Sequence, residues 1–491
     1  MHAQWRRTLT LAVALLLAAC ATGPVYERPG APTSATYKEA EGWVSAAPAD
    51  TLERGPWWTL FQDPALDQLV SRVEVSNQNV AAAVAAYEQA RAFVREQRAS
   101  LFPVVTVDGG ASRARTGAGS RNSFQVSIGG SWEPDVWGRL RRTIGAASAS
   151  AQASAADLAA ARLAAQGELA TAYLNLREID AQKALLAATI EGFRRSQQIT
   201  QNRYDQGVAA RTDVLQAQTQ LTNAQADLTD LDRQRAQLEH AIAVLIGEAP
   251  GNFSLAPLPD WKPVVPDVPV ALPSTLLQRR PDIAAAERRV AAANERIGIA
   301  QTAFFPNVSL NGSLGQGASQ IGRLFSASSM LWSLGVSAAE TLLDFGARRA
   351  RVDEARSAYE QDVARYRQTV LSAFADVEDE LAAARVLMQE EALRRTASQA
   401  ADDVERQVLN RYRAGIVGYT DVVTAQATAL NARRALAQII VNRQTTAVAL
   451  IQSLGGGWTA DTIAAELADN VDASRQAAWR AERASSASNA P

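Results

Sequence analysis

Cysteine is almost missing from this chain: 491 residues include one cysteine, two histidines and three methionines. A single thiol builds no disulfide framework, and Cys20, His2 and His240 assemble no zinc cluster, Cys/His pair or Ser-His-Asp set. Met330 and Met388 are the only methionines after the initiator, too few for a thioether relay for soft metal ions. No metal or cofactor is therefore expected, and the lack of a catalytic constellation argues against an enzyme. One-sided charge is lacking too. Lys and Arg number 49 against 51 Asp and Glu, for a net charge of -2, which argues against nucleic acid as a partner. After the N-terminus nothing approaches the roughly 20 apolar residues that a membrane-spanning helix needs. If the chain crosses a membrane, it does so as strands.

The one apolar run lies at the start. Trp5-Arg6-Arg7 is basic and Leu9 to Ala19 is apolar, a length that suits a signal-peptide core. It ends in Leu17-Ala18-Ala19-Cys20, small residues before a cysteine as in a bacterial lipobox. Residues 1–19 thus read as a signal peptide, and Cys20 as the acylated first residue of the mature chain. An exported protein seldom keeps a lone thiol without such a use. Ala21 rather than an aspartate comes next, which favours sorting to the outer membrane.

An internal repeat organises the remainder of the chain. Asn202-Arg203-Tyr204-Asp205-Gln206-Gly207, with Thr212-Asp213-Val214 beyond it, returns as Asn410-Arg411-Tyr412-Arg413-Ala414-Gly415 and Thr420-Asp421-Val422. The same spacing carries Gly138 onto Gly346. Leu101-Phe102-Pro103 returns as Phe304-Phe305-Pro306 at a slightly smaller spacing. The chain divides into a signal peptide (1–19), an N-terminal extension (20–62), a first repeat (63–248), a Pro-rich linker (249–273), a second repeat (274–456) and a last segment with a polar, disordered tail (457–491). Each repeat reads helix, two strands, long helix, turn, helix.

Leu221, Ala224, Leu228, Leu231, Arg235, Leu238, Ile242 and Leu245 alternate steps of three and four, a heptad-like seam. The run from Gly138 to Gln206 has no proline and predicts one helix of about 100 Å at 1.5 Å per residue. A return helix is expected from Thr212 to Ile246, and an upstream helix from Leu66 to Leu101. Asn307, Ser309, Asn311 and Ser313 alternate with Val308, Leu310, Gly312 and Leu314. Phe124 to Gly129, Trp332 to Ser337 and Val105 to Asp108 alternate likewise. Apolar residues on one face and small polar ones on the other are what a water-filled transmembrane barrel requires. A half-buried hairpin in a soluble sheet alternates as well. Four strands cannot close a barrel, and open edges are not tolerated in lipid. Three chains would supply twelve.

These residues resemble the outer-membrane factors of tripartite efflux pumps, the TolC- and OprM-like family, and within it the NodT-like lipoprotein branch. The resemblance covers essentially the whole mature chain. It rests on Pro24-Val25-Tyr26-Glu27-Arg28-Pro29, on Trp57-Trp58-Thr59-Leu60-Phe61-Gln62-Asp63-Pro64, and above all on Arg279-Arg280-Pro281-Asp282-Ile283 continuing to Phe304-Phe305-Pro306. The family implies a mainly α protomer with a small β part, trimerising into a twelve-stranded outer-membrane barrel on a periplasmic helical tunnel. It implies a periplasmic adaptor and an inner-membrane pump of the resistance-nodulation-division type as partners, and small toxic molecules as cargo. A non-conducting coiled-coil envelope lipoprotein and an exit duct for type I protein secretion are the alternative readings.

Gly207 and Gly415 end the two long helices, where glycine terminates a helix readily; in the family this tip also holds the gate and meets the adaptor. The resemblance implies a latch in which Arg411 and Tyr412 contact Asp213. Asp421 is the equivalent carboxylate of the second repeat. Thr424 and Val417 stand where other members carry a pore carboxylate and a bridging arginine, so the Asp213 link is expected to carry more of the closure.

Overall fold

The computed structural model describes residues 23–32, 34, 36–40, 56–117, 119–268 and 279–458. The signal peptide, Cys20, the end of the Pro-rich linker and the polar tail lie outside them. The described residues run through one pattern twice. Helices α1 (Pro64–Ser76) and α2 (Gln78–Ala99) lead to strands β1 (Val104–Thr116) and β2 (Gly119–Trp132), then to helices α3 (Arg139–Asp205) and α4 (Arg211–Leu245). Helix α5 (Pro281–Thr302) leads to β3 (Asn307–Ala318) and β4 (Met330–Ala339), then to α6 (Ala347–Arg413) and α7 (Tyr419–Ser453). Both long helices have 67 residues and both return helices 35. The chain is thus a mainly helical tandem repeat with a small sheet.

The chain forms two compact units. The first holds Met1–Ala31, Ala85–Ala156 and Ile283–Thr369. Its sheet is antiparallel throughout, in the order β1-β2-β3-β4, so β1 and β4 are edges. Val94 of α2 packs on Ala147 and Ala151 of α3, and Ala149 of α3 on Ala291 and Ala292 of α5. Alanine at these contacts favours the helix and lets neighbouring axes approach closely. The segment after the N-terminus lies on α5. The Tyr26 hydroxyl donates to Glu287, and the Asn294 amide donates to the Pro24 carbonyl at 3.2 Å.

The second unit holds Pro32–Val84, Asp157–Asp282 and Val370–Pro491. Ile179, Leu186, Ile190 and Phe193 of α3 meet Leu221, Ala224 and Leu231 of α4 and Leu430 of α7. The heptad-like seam is this contact. The upstream helix expected over Leu66 to Leu101 is instead two helices that break at Asn77, whose backbone is extended. The Asn77 side-chain oxygen accepts from the amides of Asn79 and Val80, capping α2. Its amide donates to the Leu245 carbonyl at the end of α4 at 2.8 Å. The second repeat makes the same contact with a different residue: Arg280 donates to the Ser453 carbonyl at 3.3 Å.

The Pro-rich linker is held by buried charge. Asp180 accepts from Arg177 at 2.9 Å, from Arg235 at 2.8 Å and from the Leu258 amide at 3.1 Å. Arg177 also donates to the Ala256 carbonyl, Arg235 to that of Leu255, and Glu239 accepts from the Leu255 amide. No buried charge of this set is left uncompensated.

Candidate functional site

Two regions carry the chemistry of a conduit, the sheet and the helical hairpin turns. The register sorts the sheet's side chains. Val107, Ile128, Leu314 and Trp332 stand opposite one another across all four strands, as do Val126 and Gln316, and Leu310 and Val336. That face is apolar from Val105 to Ala111 and along the strands paired with it, apart from Gln316; toward the β1–β2 turn it carries the pairs Arg113–Asn122 and Arg115–Ser120. The other face aligns Thr106 with Gly129, Ser313 and Ser333, and Ser309 with Ser337. Hydroxyls pair across it, Ser309 with Ser337 at 2.7 Å and Ser313 with Ser333 at 2.8 Å. Trp332, Leu334 and Val336 are each more than 70 % exposed, which no soluble sheet with a covered apolar face would show. One face fit for lipid and one for water is what the alternation predicts. No helix among the described residues is long and apolar enough to cross a membrane.

At the turns, the two copies share one backbone. Gly207 and Gly415 have φ of 73° and 77°. The Val208 amide reaches the Arg203 carbonyl, and the Ile416 amide the Arg411 carbonyl, in matching Schellman caps. The side chains diverge. Tyr204 is 40 % exposed, whereas its counterpart Tyr412 is 2 % exposed, among Ala217, Tyr419 and Val422. Arg203 lies over the Tyr412 ring, its guanidinium carbon 4.7 Å from the centroid, and donates to the Tyr412 carbonyl at 2.7 Å. The Tyr412 hydroxyl pairs with that of Thr200 at 3.1 Å, and its ring meets Tyr419 edge-on at 5.4 Å. Gln426 donates to Ser196 at 3.3 Å. One hairpin is thereby fastened to the other within the chain.

Of the residues named from sequence, Tyr412 sits at the centre of this cluster and Asp213 at its margin. Burial, then Tyr412, then Asp213 push the Tyr419 phenol up to about 12. Arg411 and Asp421 are exposed. No hydrogen bond or ion pair among the described residues joins Asp213 to Arg411 or Tyr412 within the chain. The partner of Tyr412 there is Arg203, which sequence reasoning missed because Arg203-Tyr204 and Arg411-Tyr412 are identical in the two copies. The exposed Gly207 and Gly415 turns remain free for a neighbour, and no cluster among the described residues has the ligands for a metal ion.

The comparisons agree with this architecture. The family model described as outer membrane efflux protein matches residues 69–248 and 272–456. The probable efflux pump outer membrane protein TtgC of Pseudomonas putida is 32 % identical over 466 residues, covering 92 % of this chain and 96 % of its own. The outer membrane protein OprJ of Pseudomonas aeruginosa is 31 % identical over 91 % of this chain and 95 % of its own. The open-state structure of the Neisseria gonorrhoeae outer membrane channel MtrE superposes with a TM-score of 0.81 at 30 % identity, over 90 % of this chain and 99 % of that one. With two matched repeats, a sheet sorted into apolar and polar faces and relatives that are outer-membrane efflux channels, the chain belongs to the outer membrane efflux protein family and is an exit channel of the outer membrane.

Proposed function

We propose that three copies of this chain build one gated duct that passes small toxic molecules from a periplasmic adaptor and an inner-membrane pump to the exterior. The observation that carries the reading is the four-stranded sheet with sorted faces and two unpaired edges. Such edges are untenable in hydrocarbon, and three chains supply twelve strands, an even number within the usual range. The polar face lines the duct and the apolar face meets lipid. Cys20 begins the mature chain and carries a covalent lipid. One acyl chain is a weak anchor, so the barrel itself holds the protein in the membrane.

The tip clusters are the gate. In one chain Arg203, Thr200 and Tyr412 fasten the two hairpins together, while Arg411, Asp213 and Asp421 remain available to the neighbouring copies around the axis. Three-fold symmetry makes a ring of each carboxylate. The adaptor docks at the Gly207 and Gly415 turns, and the pump, of the resistance-nodulation-division type, selects the cargo. Mass spectrometry of the detergent-solubilised protein tests the assembly and the anchor together. The particle should contain three chains, each beginning at Cys20 and heavier by its lipid. A stable monomer that conducts ions contradicts the duct, and chains retaining residues before Cys20 contradict the anchor.

A further inference from the structure

The β2–β3 seam contains more than a strand pairing. Trp137, just after β2, stacks on Phe305 with centroids 4.9 Å apart, and its indole N–H donates to the Pro306 carbonyl at 2.7 Å. Phe305-Pro306 stands directly ahead of β3. The duplicated chain holds the same pieces again at its two sheet edges. Phe102-Pro103 stands directly ahead of β1 and Phe345 comes after β4, and Phe102 and Phe345 are 68 % and 93 % exposed.

Two shifts in numbering relate the copies. A shift of 203 (Phe102 to Phe305) carries β1 onto β3, and one of 208 (Gly138 to Gly346) carries β2 onto β4. In the sheet these shifts hold without adjustment. Applied to the pair Val104–Ser131 they give Asn307–Ala339, which is the observed pairing of β3 with β4. The pairs of β2 with β3 then define a seam that one chain lacks. Carrying the β2 residue forward by 208 and the β3 residue back by 203, Ser127–Gly315 becomes Gly335–Ser112, and Ile128–Leu314 becomes Val336–Ala111.

We propose that the seam between two copies repeats the β2–β3 seam. Strand β4 of one protomer pairs antiparallel with β1 of the next, Gly335 opposite the partner's Ser112 and Val336 opposite the partner's Ala111, with Phe345 against the partner's Phe102 and Pro103. This rests on the trimeric reading above and adds the register and the aromatic contact. The register passes an independent check. It sets apolar Ala111 beside apolar Val336 and Ser112 beside Gly335, keeping the two faces in phase, and brings Arg113 and Arg115 opposite Leu334 and Trp332 toward the β1–β2 turn; a slip of one residue turns the apolar set of β1 onto the polar face.

Paired cysteines in the full chain test it. Ser112→Cys with Gly335→Cys lies on the water-facing side, and a Cβ at Gly335 meets nothing within 4 Å. Oxidation in native membranes should give covalent dimers and trimers from the double variant and none from either single variant. Coexpressing the two single variants should give dimers only. Ser112→Cys combined with Ser333→Cys or Ser337→Cys should cross-link roughly tenfold less, because diagonal neighbours stand farther apart than opposed pairs. A maximum at Ser333 or Ser337 in particles that still contain three chains overturns the register and leaves the trimer standing; particles of any other size overturn the trimer itself. Should the cysteine chains fail to assemble, Phe102→Ala and Phe345→Ala give a second readout. Each should lower the temperature at which the trimer dissociates, and the double variant should fall no further than the worse single. Additive losses would place the two rings in separate surroundings, such as lipid, and overturn the contact.

Discussion

Arg235 occupies a core step of the α4 seam although it carries a charge. Its periodicity was readable, but its partner was not, because Asp180 lies 55 residues earlier on α3. Removing one member of such a buried set costs about 3–5 kcal/mol, mostly by stranding the remaining charge. Glu178, beside Asp180 in the chain, behaves in the opposite way. It is 5 % exposed and accepts from the Gln182 amide at 2.6 Å and the Gln438 amide at 3.2 Å. Burial raises its pKa, and the two amide donors only partly oppose that. The folded chain therefore holds this proton to higher pH than the unfolded chain. Between the two pKa values the folded state binds more protons, so stability falls as pH rises through that window and stays lowered above it. Glu178→Gln should raise the thermal midpoint near pH 8 by on the order of 1–2 °C and leave it unchanged near pH 4. An equal shift at both pH values would assign the effect to packing instead.

Helix type and length were legible because the long runs lack proline and end at glycines; the 67-residue helices match the expected run closely. The break at Asn77 was not legible. It depends on the end of α4 arriving from far along the chain, where Gly247, at φ of 72°, presses on the Ser76 carbonyl. A Cβ there would lie 2.1 Å from that oxygen. The second repeat repeats the device: a Cβ on Gly455 would lie 2.2 Å from the Arg279 carbonyl oxygen. These glycines are needed for both their backbone and their space, whereas Gly192, inside α3, would meet nothing within 4 Å. Gly247→Ala should destabilise by about 2–4 kcal/mol, and Gly192→Ala should stabilise by about 0.5–1 kcal/mol through helix propensity. Urea titration of the two variants measures both. A tolerated alanine at 247 would show that the α1–α2 break does not depend on that contact.

Across the whole molecule, the duplication was legible in sequence, and so was the separation of faces in the strands, since both rest on spacing alone. The division of labour at the tips was not. Two copies of Arg-Tyr cannot both stand in the same place, and packing around Ala217 and Tyr419 gives the buried one to Tyr412 and its cation to Arg203. Sequence reasoning placed the latch on Asp213, Arg411 and Tyr412; within the chain the buried Tyr412 is held by Arg203 instead, and in the proposed trimer Asp213 and Arg411 are left to meet sister chains. Each such contact is worth about 1 kcal/mol. Three acting together shift an open–closed balance roughly a hundredfold. Single-channel recording of the purified trimer in a planar bilayer is the most direct test. The native protein should open rarely, and Arg203→Ala, Asp213→Ala, or Arg411→Ser with Tyr412→Phe should each raise conductance with three chains per particle retained. A silent bilayer from every variant, or conductance identical to the native protein in all of them, would contradict a duct closed at its helical tip.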